Sequence, residues 1–168
     1  MPSTKPNALA WLLVSLIIIV LDQWSKAWVL GTLPEYTAVP VIDGFWNWYR
    51  TYNTGAAFSM GTALTPLFTL IAVVVVGWIV VQAARIATRG WAAAVGLIGG
   101  GAAGNLVDRI LRPPGVARGA VVDFIDVAWF ASFNIADTAL TCGVALAVLL
   151  AWRDVPLLRR TGPRDGEQ

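Results

Sequence analysis

The chain of 168 residues is 57% hydrophobic and 13% charged, with a formal net charge of +2. Charged residues at about half their usual share in soluble domains indicate an integral membrane protein. The length suits a single domain over residues 1–168. The small net charge, without a long basic patch, argues against a nucleic-acid partner.

The chain contains no histidine and one cysteine, Cys142. It therefore lacks the usual ligands of a zinc site and cannot form an intrachain disulfide, and we expect neither a metal nor another cofactor. Cys142 lies inside an apolar run, which predicts a small buried core residue.

Four apolar stretches approach the roughly 20 residues that a helix needs to cross a bilayer. They cover residues 9–29, 63–84, 91–110 and 135–152. Only helices satisfy their backbone hydrogen bonds in lipid without a closed barrel, so the sequence predicts an all-α protein with four transmembrane helices. The first stretch ends in Asp22-Gln23-Trp24-Ser25-Lys26 rather than in a small-residue cleavage site, which favours a retained helix over a cleaved signal peptide.

Two loops, residues 31–62 and 111–134, are longer than the third connection. In the first, Asp43-Gly44 separates β-branched and aromatic runs, which predicts a hairpin and a small β/loop subdomain outside the membrane. Of the 12 basic residues, seven fall on the side of the termini and five on the side of these loops. The positive-inside rule then places both termini in the cytoplasm, with a frayed polar tail over residues 153–168.

Half of the 10 acidic residues are predicted at the outer ends of helices or in the loop between them. They are Asp22, Asp108, Asp123, Asp126 and Asp137. Such charges are costly in an apolar setting unless they are paired or used. Because histidine is absent, carboxylates are the first candidates for a general base. Asp123 and Asp137 flank one short loop, which indicates a shared role.

Several of these residues also have a purely structural interpretation. Asp22 and Lys26 lie four residues apart, as an intrahelical ion pair would. Asp108 could pair with the adjacent Arg109 as an interfacial anchor, and Asp126 is more simply interpreted as a solvated loop acid. A Ser25-Lys26 catalytic dyad is disfavoured, because adjacent helical residues diverge by about 100°.

Small and amide side chains complete the pattern. The third helix carries a small residue at every fourth position, which allows another helix to approach closely. The positions, which we call the glycine ridge, are Ala92, Gly96, Gly100 and Gly104. The asparagines Asn53, Asn105 and Asn134 could each cap a backbone group. Three of them beside the acids predict a polar network.

The chain resembles the lipoprotein signal peptidases, the bacterial type II signal peptidases, over nearly all of residues 9–152. The resemblance rests on five motifs in the family's order. They are Asp22-Gln23-Trp24-Ser25-Lys26, Tyr52-Asn53-Thr54-Gly55-Ala56-Ala57-Phe58-Ser59, Gly104-Asn105-Leu106-Val107-Asp108-Arg109, Val121-Val122-Asp123-Phe124 and Phe133-Asn134-Ile135-Ala136-Asp137.

This resemblance implies an aspartic endopeptidase of the bacterial cytoplasmic (inner) membrane, with its active site at the periplasmic face. The substrate would be a prolipoprotein that carries a diacylglyceryl group, cleaved just before the lipidated cysteine. Membrane lipids and inhibitors of the globomycin type would be further partners. The catalytic pair maps onto Asp123 and Asp137. The supporting polar residues map onto Asp22, Lys26, Asn53, Asn105, Asp108, Arg109 and Asn134.

Two carboxylates a few ångströms apart share one proton, because both cannot easily ionise. The ionised one would activate water and the protonated one would polarise the scissile carbonyl. The sequence does not assign these roles, because the pair titrates as a unit. Aromatic residues of the first loop could cover the substrate; they are Phe45, Trp46, Trp48 and Phe58.

The main alternative is a small proton- or cation-coupled transporter. A relay would need ionisable residues at mid-membrane and toward the cytoplasm, where none of the four helices carries an acid. A third interpretation, an assembly subunit built on the glycine ridge, predicts tolerance of substitutions at Asp123 and Asp137.

Overall fold

The computed structural model describes residues 5–54 and 65–159. Its four long helices are α1 (Lys5–Thr32), α2 (Thr65–Gln82), α3 (Arg89–Leu111) and α4 (Ile135–Trp152). All four are long and apolar enough to cross a membrane, which confirms the predicted architecture. Helices α1 and α3 extend beyond their predicted ranges, and a short 3-10 turn (Ala83–Arg85) follows α2. Residues 63 and 64, predicted as helical, lie outside the described residues.

Helix α3 lies at the centre of the bundle and packs against the other three helices. In its spanning window 56% of the residues are buried, against 11–17% in the other helices. The glycine ridge makes this possible: an added Cβ at Gly96 would lie 2.9 Å from the Trp11 carbonyl oxygen, and one at Gly100 the same distance from that of Ser15. The ridge is therefore the surface that α1 approaches, as predicted.

Helix α4 packs on another side of α3, again through small residues. Its buried positions are Ala136, Ala139 and Gly143, and an added Cβ at Gly143 would lie 2.8 Å from the Ile98 side chain. Cys142 lies off this line and is exposed. The prediction of a buried cysteine is wrong, because a helix that is apolar all round does not reveal which side meets protein.

A small antiparallel sheet caps one end of the bundle. Its strands are β1 (Ala38–Ile42), β2 (Trp46–Asn53) and β3 (Val121–Val127), in the order β1-β2-β3. The predicted hairpin is confirmed, with Gly44 at φ +72° in the turn, a conformation that glycine adopts readily. Strand β3, which the sequence did not predict, aligns Thr51 with Asp123. The sheet thus joins the two long loops.

The aromatic residues of the hairpin have different surroundings. The Trp48 ring packs 5.9 Å from that of Phe124 and 5.7 Å from that of Trp28, so it belongs to the contact between sheet and bundle. Phe45 is 50% exposed. Phe58, and with it residues 55–59 of the second motif, lies outside the described residues.

The chain after α4 folds back onto the connection between α2 and α3. The Arg159 amide donates to the Arg85 carbonyl at 2.8 Å, and the Ala87 amide to that of Leu157 at 2.9 Å. The Trp91 indole donates to the Val155 carbonyl at 2.8 Å. The expectation of a frayed tail is therefore wrong for residues 155–159, and residues 160–168 lie outside the described part of the chain.

Candidate active site

Asp123 and Asp137, the aspartate pair, lie where the sheet meets the bundle. Asp123 belongs to β3 and is 2% exposed, whereas Asp137 lies in the first turn of α4 and is half-buried. The other polar residues that the sequence predicted surround the pair through the contacts described below. The structure therefore brings together all nine predicted site residues at one end of the bundle.

Asp123 is held by two amide side chains. Asn134 Nδ2 donates to its Oδ1 at 2.7 Å, and Asn53 Nδ2 donates to its Oδ2 at 3.0 Å. Burial, and then the negative charge of Asp137, raise the pKa of Asp123 to about 7; the two amide hydrogen bonds and the charge of Lys26 act in the opposite direction. A carboxyl group with such a pKa carries a proton much of the time at neutral pH.

Asp137 is fixed by the start of α4. The Asn134 side chain accepts from the Asp137 amide at 3.0 Å and Asp137 Oδ2 accepts from the Asn134 amide at 3.2 Å, which forms a capping box. Asn105 Nδ2 donates to Asp137 Oδ1 at 2.7 Å. Because Asn134 caps α4 and also donates to Asp123, this one residue links both members of the pair.

The pair adjoins an ion cluster, which we define as Asp22, Lys26, Asp108 and Arg112. Lys26 Nζ lies 2.8 Å from Asp22 Oδ2 and 2.8 Å from Asp108 Oδ2, and all three side chains are fully buried. The predicted Asp22–Lys26 pair is thus present, with a second carboxylate added. Buried charges are tolerated in such an arrangement because each has a partner of opposite sign.

Each acid of the ion cluster also holds the backbone next to one member of the aspartate pair. Asp108 Oδ2 accepts from the amide of Val122, just before Asp123, at 3.2 Å. Asp22 Oδ1 accepts from the amide of Ala136, just before Asp137, at 3.0 Å. Since Lys26 ties the two acids together, the ion cluster fixes where β3 and α4 lie relative to each other.

Lys26 reaches the aspartate pair through one amide. Its Nζ donates to Asn105 Oδ1 at 3.0 Å, so the amide oxygen of Asn105 faces the cation and its nitrogen faces Asp137. The three asparagines thus form the predicted polar network.

The cation beside Asp108 differs from the prediction. Arg112 Nε lies 2.6 Å from Asp108 Oδ1, whereas the Arg109 guanidinium lies over the Phe68 ring, 5.7 Å from its centroid. An Asp108–Arg109 ion pair is therefore the wrong interpretation, because the neighbouring residue on a helix faces another direction, and the residue four positions on faces the same one. That spacing was the signal that could have identified Arg112.

Arg109 instead interacts electrostatically with the aspartate pair. Its charge interacts with those of Asp123 and Asp137. Its Nη1 is buried and has no hydrogen-bond partner among the described residues. A buried donor without an acceptor is unusual in a folded protein, and this one belongs to a cation whose charge acts on two carboxylates.

Two residues outside the pair have roles that the sequence did not indicate. Gln23 Nε2 donates to the Gly104 carbonyl at 3.0 Å and to Asp22 Oδ2 at 3.1 Å, which adds an amide to the ion cluster. Asp126 is half-buried in β3 and accepts from Asn47 and Ser132, both at 3.1 Å. Its interpretation as a solvated loop acid is wrong, since the loop is a strand there.

The site is nearly neutral in charge. The ion cluster contains two carboxylates and two cations, which cancel. Arg109 adds one positive charge opposite the aspartate pair. One proton on the pair would therefore bring the site to neutrality, the state that a poorly solvated region favours. Among residues 5–54 and 65–159, no group of three acidic, cysteine or histidine side chains could hold a metal ion.

Residues 14–153 match a family model described as Signal peptidase (SPase) II. A lipoprotein signal peptidase of Xanthomonas campestris pv. campestris (strain 8004) is 48% identical over 94% of this chain and 97% of its own length. One of Xylella fastidiosa (strain M12) is 47% identical over 90% of this chain and 93% of its own length.

Two solved structures, both of bacterial membrane enzymes studied by the in meso method, are also similar. One, at 1.9 Å resolution, has a TM-score of 0.74 and 30% identity, covering 86% of this chain and 93% of the solved chain. The other, at 2.3 Å resolution, has a TM-score of 0.74 and 28% identity, covering 94% of this chain and 93% of the solved chain.

Proposed function

Because the chain belongs to the signal peptidase II family, we propose that it is an aspartic endopeptidase that cleaves diacylglyceryl-modified prolipoproteins just before the lipidated cysteine. Membership of this family makes it a membrane protease that removes signal peptides from lipoproteins. The observation that supports the aspartic mechanism is the arrangement of Asp123 and Asp137 around Asn134, with the pKa of Asp123 raised to about 7.

In the proposed mechanism Asp123 carries the shared proton and Asp137 is the general base. Asp123 is the more deeply buried carboxyl group, and its pKa favours the protonated form. Asp137 is half-buried and accepts from the Asn105 side chain and the Asn134 amide, donors that suit a carboxylate. Asp137 takes a proton from water as the water oxygen bonds to the scissile carbonyl carbon. Asp123 donates a hydrogen bond to the carbonyl oxygen and keeps its proton, so the oxygen becomes an oxyanion as the tetrahedral intermediate forms.

The tetrahedral intermediate then collapses. The carbon–nitrogen bond breaks, and the proton that Asp137 took from water passes to the leaving amine. Arg109 is suited to stabilise the oxyanion, because its charge acts on the aspartate pair and its Nη1 has no partner among the described residues. Preorganised donors of this kind supply much of the catalysis in acyl-transfer enzymes.

The position of the site suits a substrate that is anchored in the bilayer. The aspartate pair lies at the sheet-bearing end of the spanning helices rather than within the bundle. With the termini in the cytoplasm, this end would be the periplasmic face of the inner membrane. Exposed Phe45 of the hairpin could contact the substrate beside the site, and globomycin-type inhibitors would compete there.

The proposal is tested with purified protein and a prolipoprotein that carries the diacylglyceryl group. Asp123→Asn and Asp137→Asn should each lower kcat at least about a thousandfold, because each removes an acid–base group. Asp126→Asn is the matched control: the same change in the same strand, with its neighbours Asn47 and Ser132 retained, should leave kcat within about twofold. Cooperative thermal unfolding should be kept by all three variants. Near-normal turnover by either variant of the pair would exclude this mechanism.

A further inference from the structure

An apolar groove runs along α4 from the aspartate pair. Its volume is about 210 Å³. Its lining residues are Phe130, Phe133, Asp137, Thr138, Thr141 and Cys142. The Phe130 and Phe133 rings form an edge-to-face pair with centroids 5.9 Å apart. Of these residues, the proposed mechanism uses only Asp137.

The threonines present methyl groups rather than hydroxyl groups to the groove. Thr138 Oγ1 donates to the Asn134 carbonyl at 3.0 Å, and Thr141 Oγ1 donates to the Asp137 carbonyl at 2.9 Å. Each hydroxyl proton is thus used within the helix. Among the described residues, the groove is otherwise lined by two phenyl rings, a thiol and, at one end, the carboxyl group of Asp137. Such walls suit a hydrocarbon, since they offer little to a peptide backbone.

The groove follows one stripe of α4, since Asp137 and Thr141 lie one helical turn apart, as do Thr138 and Cys142. A single hydrocarbon chain is narrow enough to lie along this stripe. Because the groove ends at Asp137, such a chain must be attached next to the bond that is cleaved.

We propose that this groove holds one acyl chain of the substrate's diacylglyceryl group, and that it thereby places the scissile carbonyl beside Asp137. The proposal rests on the proposed function, which supplies a substrate with hydrocarbon chains at that position. Lipid tails are as apolar as the groove, so binding there gains little hydrophobic free energy. The groove acts by fixing position, and a misplacement of ~1 Å can cost about a hundredfold in rate.

The position of Cys142 makes the proposal depend on chain length. Cys142 lies five residues after Asp137, which is about 7.5 Å further along the helix axis. A palmitoyl chain that starts near Asp137 passes the thiol, whereas an acetyl group does not reach it. A bulky side chain at position 142 should therefore slow the cleavage of a substrate with palmitoyl chains more than that of a substrate with acetyl groups.

The first experiment compares Cys142→Phe with Val144→Phe on a dipalmitoylglyceryl and a diacetylglyceryl prolipoprotein. Val144 is 48% exposed and lies about 200° around the helix from Cys142, so it adds the same ring outside the groove. Cys142→Phe should lower the ratio of kcat/KM for the long-chain over the short-chain substrate about tenfold. Val144→Phe should leave that ratio unchanged. An unchanged ratio in Cys142→Phe would overturn the groove proposal.

The second experiment uses the wild-type protein and needs no folded variant. Cys142 is the only cysteine in the chain, so N-ethylmaleimide reports on the groove directly. Saturating dipalmitoyl prolipoprotein should slow labelling several-fold, and the diacetyl form should not. Equal slowing by both would identify a peptide occupant and overturn the proposal, as would slowing by neither. A wild-type protein that cleaves neither prolipoprotein would instead contradict the proposed function.

Discussion

The ion cluster and the aspartate pair lie side by side, yet their carboxylates have opposite surroundings. Asp22 and Asp108 contact Lys26 at 2.8 Å, and Asp108 also contacts Arg112. The carboxylates of the pair receive hydrogen bonds from amide groups instead. A carboxylate held by a cation is fixed in place, whereas one held by neutral amides can still exchange a proton. The comparison supports the proposal that the first group fixes geometry and the second performs the chemistry.

The largest expected effect is on the ion cluster. Lys26→Met leaves Asp22 and Asp108 buried without their shared cation, so we expect the free energy of unfolding to fall by about 3–5 kcal/mol. Thermal unfolding in detergent measures this loss. If the cluster acts through its charges, Asp22→Asn added to Lys26→Met should recover part of the stability. A double variant no more stable than Lys26→Met would show that packing, not charge, holds the cluster.

The aspartate pair should show the reverse behaviour. The folded-state pKa of Asp123 is about 7, against 3.8 for the free side chain. The folded protein therefore binds more protons than the unfolded chain between these values, and the contribution of Asp123 to stability is lost as the pH rises through about 7. Asp123→Asn removes this loss, so at pH 8 it should stabilise the protein by about 2–4 kcal/mol.

The same variant supplies its own control. At pH 3 the Asp123 carboxyl group is largely protonated in both the folded and the unfolded protein, so Asp123→Asn should have little effect on the midpoint of thermal unfolding. Destabilisation at pH 8 would mean that the Asp123 carboxylate is held by a cation, as in the ion cluster, and would remove the distinction between the two regions.

Much of this arrangement could be predicted from the sequence because its signals are local. The four spans follow from uninterrupted apolar runs. The close approach of α1 to α3 follows from small residues at every fourth position. The grouping of the acids follows from the free-energy cost of charged groups in lipid. The contact between Asp22 and Lys26 follows from helical spacing alone.

The remainder depends on contacts between distant parts of the chain. Strand β3 forms because it pairs with β2, and Val121-Val122-Asp123-Phe124 has no alternation that would indicate a strand. Asp22 and Asp108 accept hydrogen bonds from the backbone amides of Ala136 and Val122. Every residue type other than proline provides such an amide, so these contacts have no sequence signal. The exposure of Cys142 depends on which side of α4 meets α3. None of these features has a local signature.

The most direct test of the central claim, that the aspartate pair shares one proton held by Asp123, is the pH dependence of kcat/KM. Activity should fall as the pH rises, with an apparent pKa near 7, because Asp123 must be protonated. The Asn53 hydrogen bond lowers the pKa of Asp123, so Asn53→Ala should move this limb to higher pH. Constant activity from pH 5 to pH 9, or a limb that Asn53→Ala does not move upward, would contradict the claim.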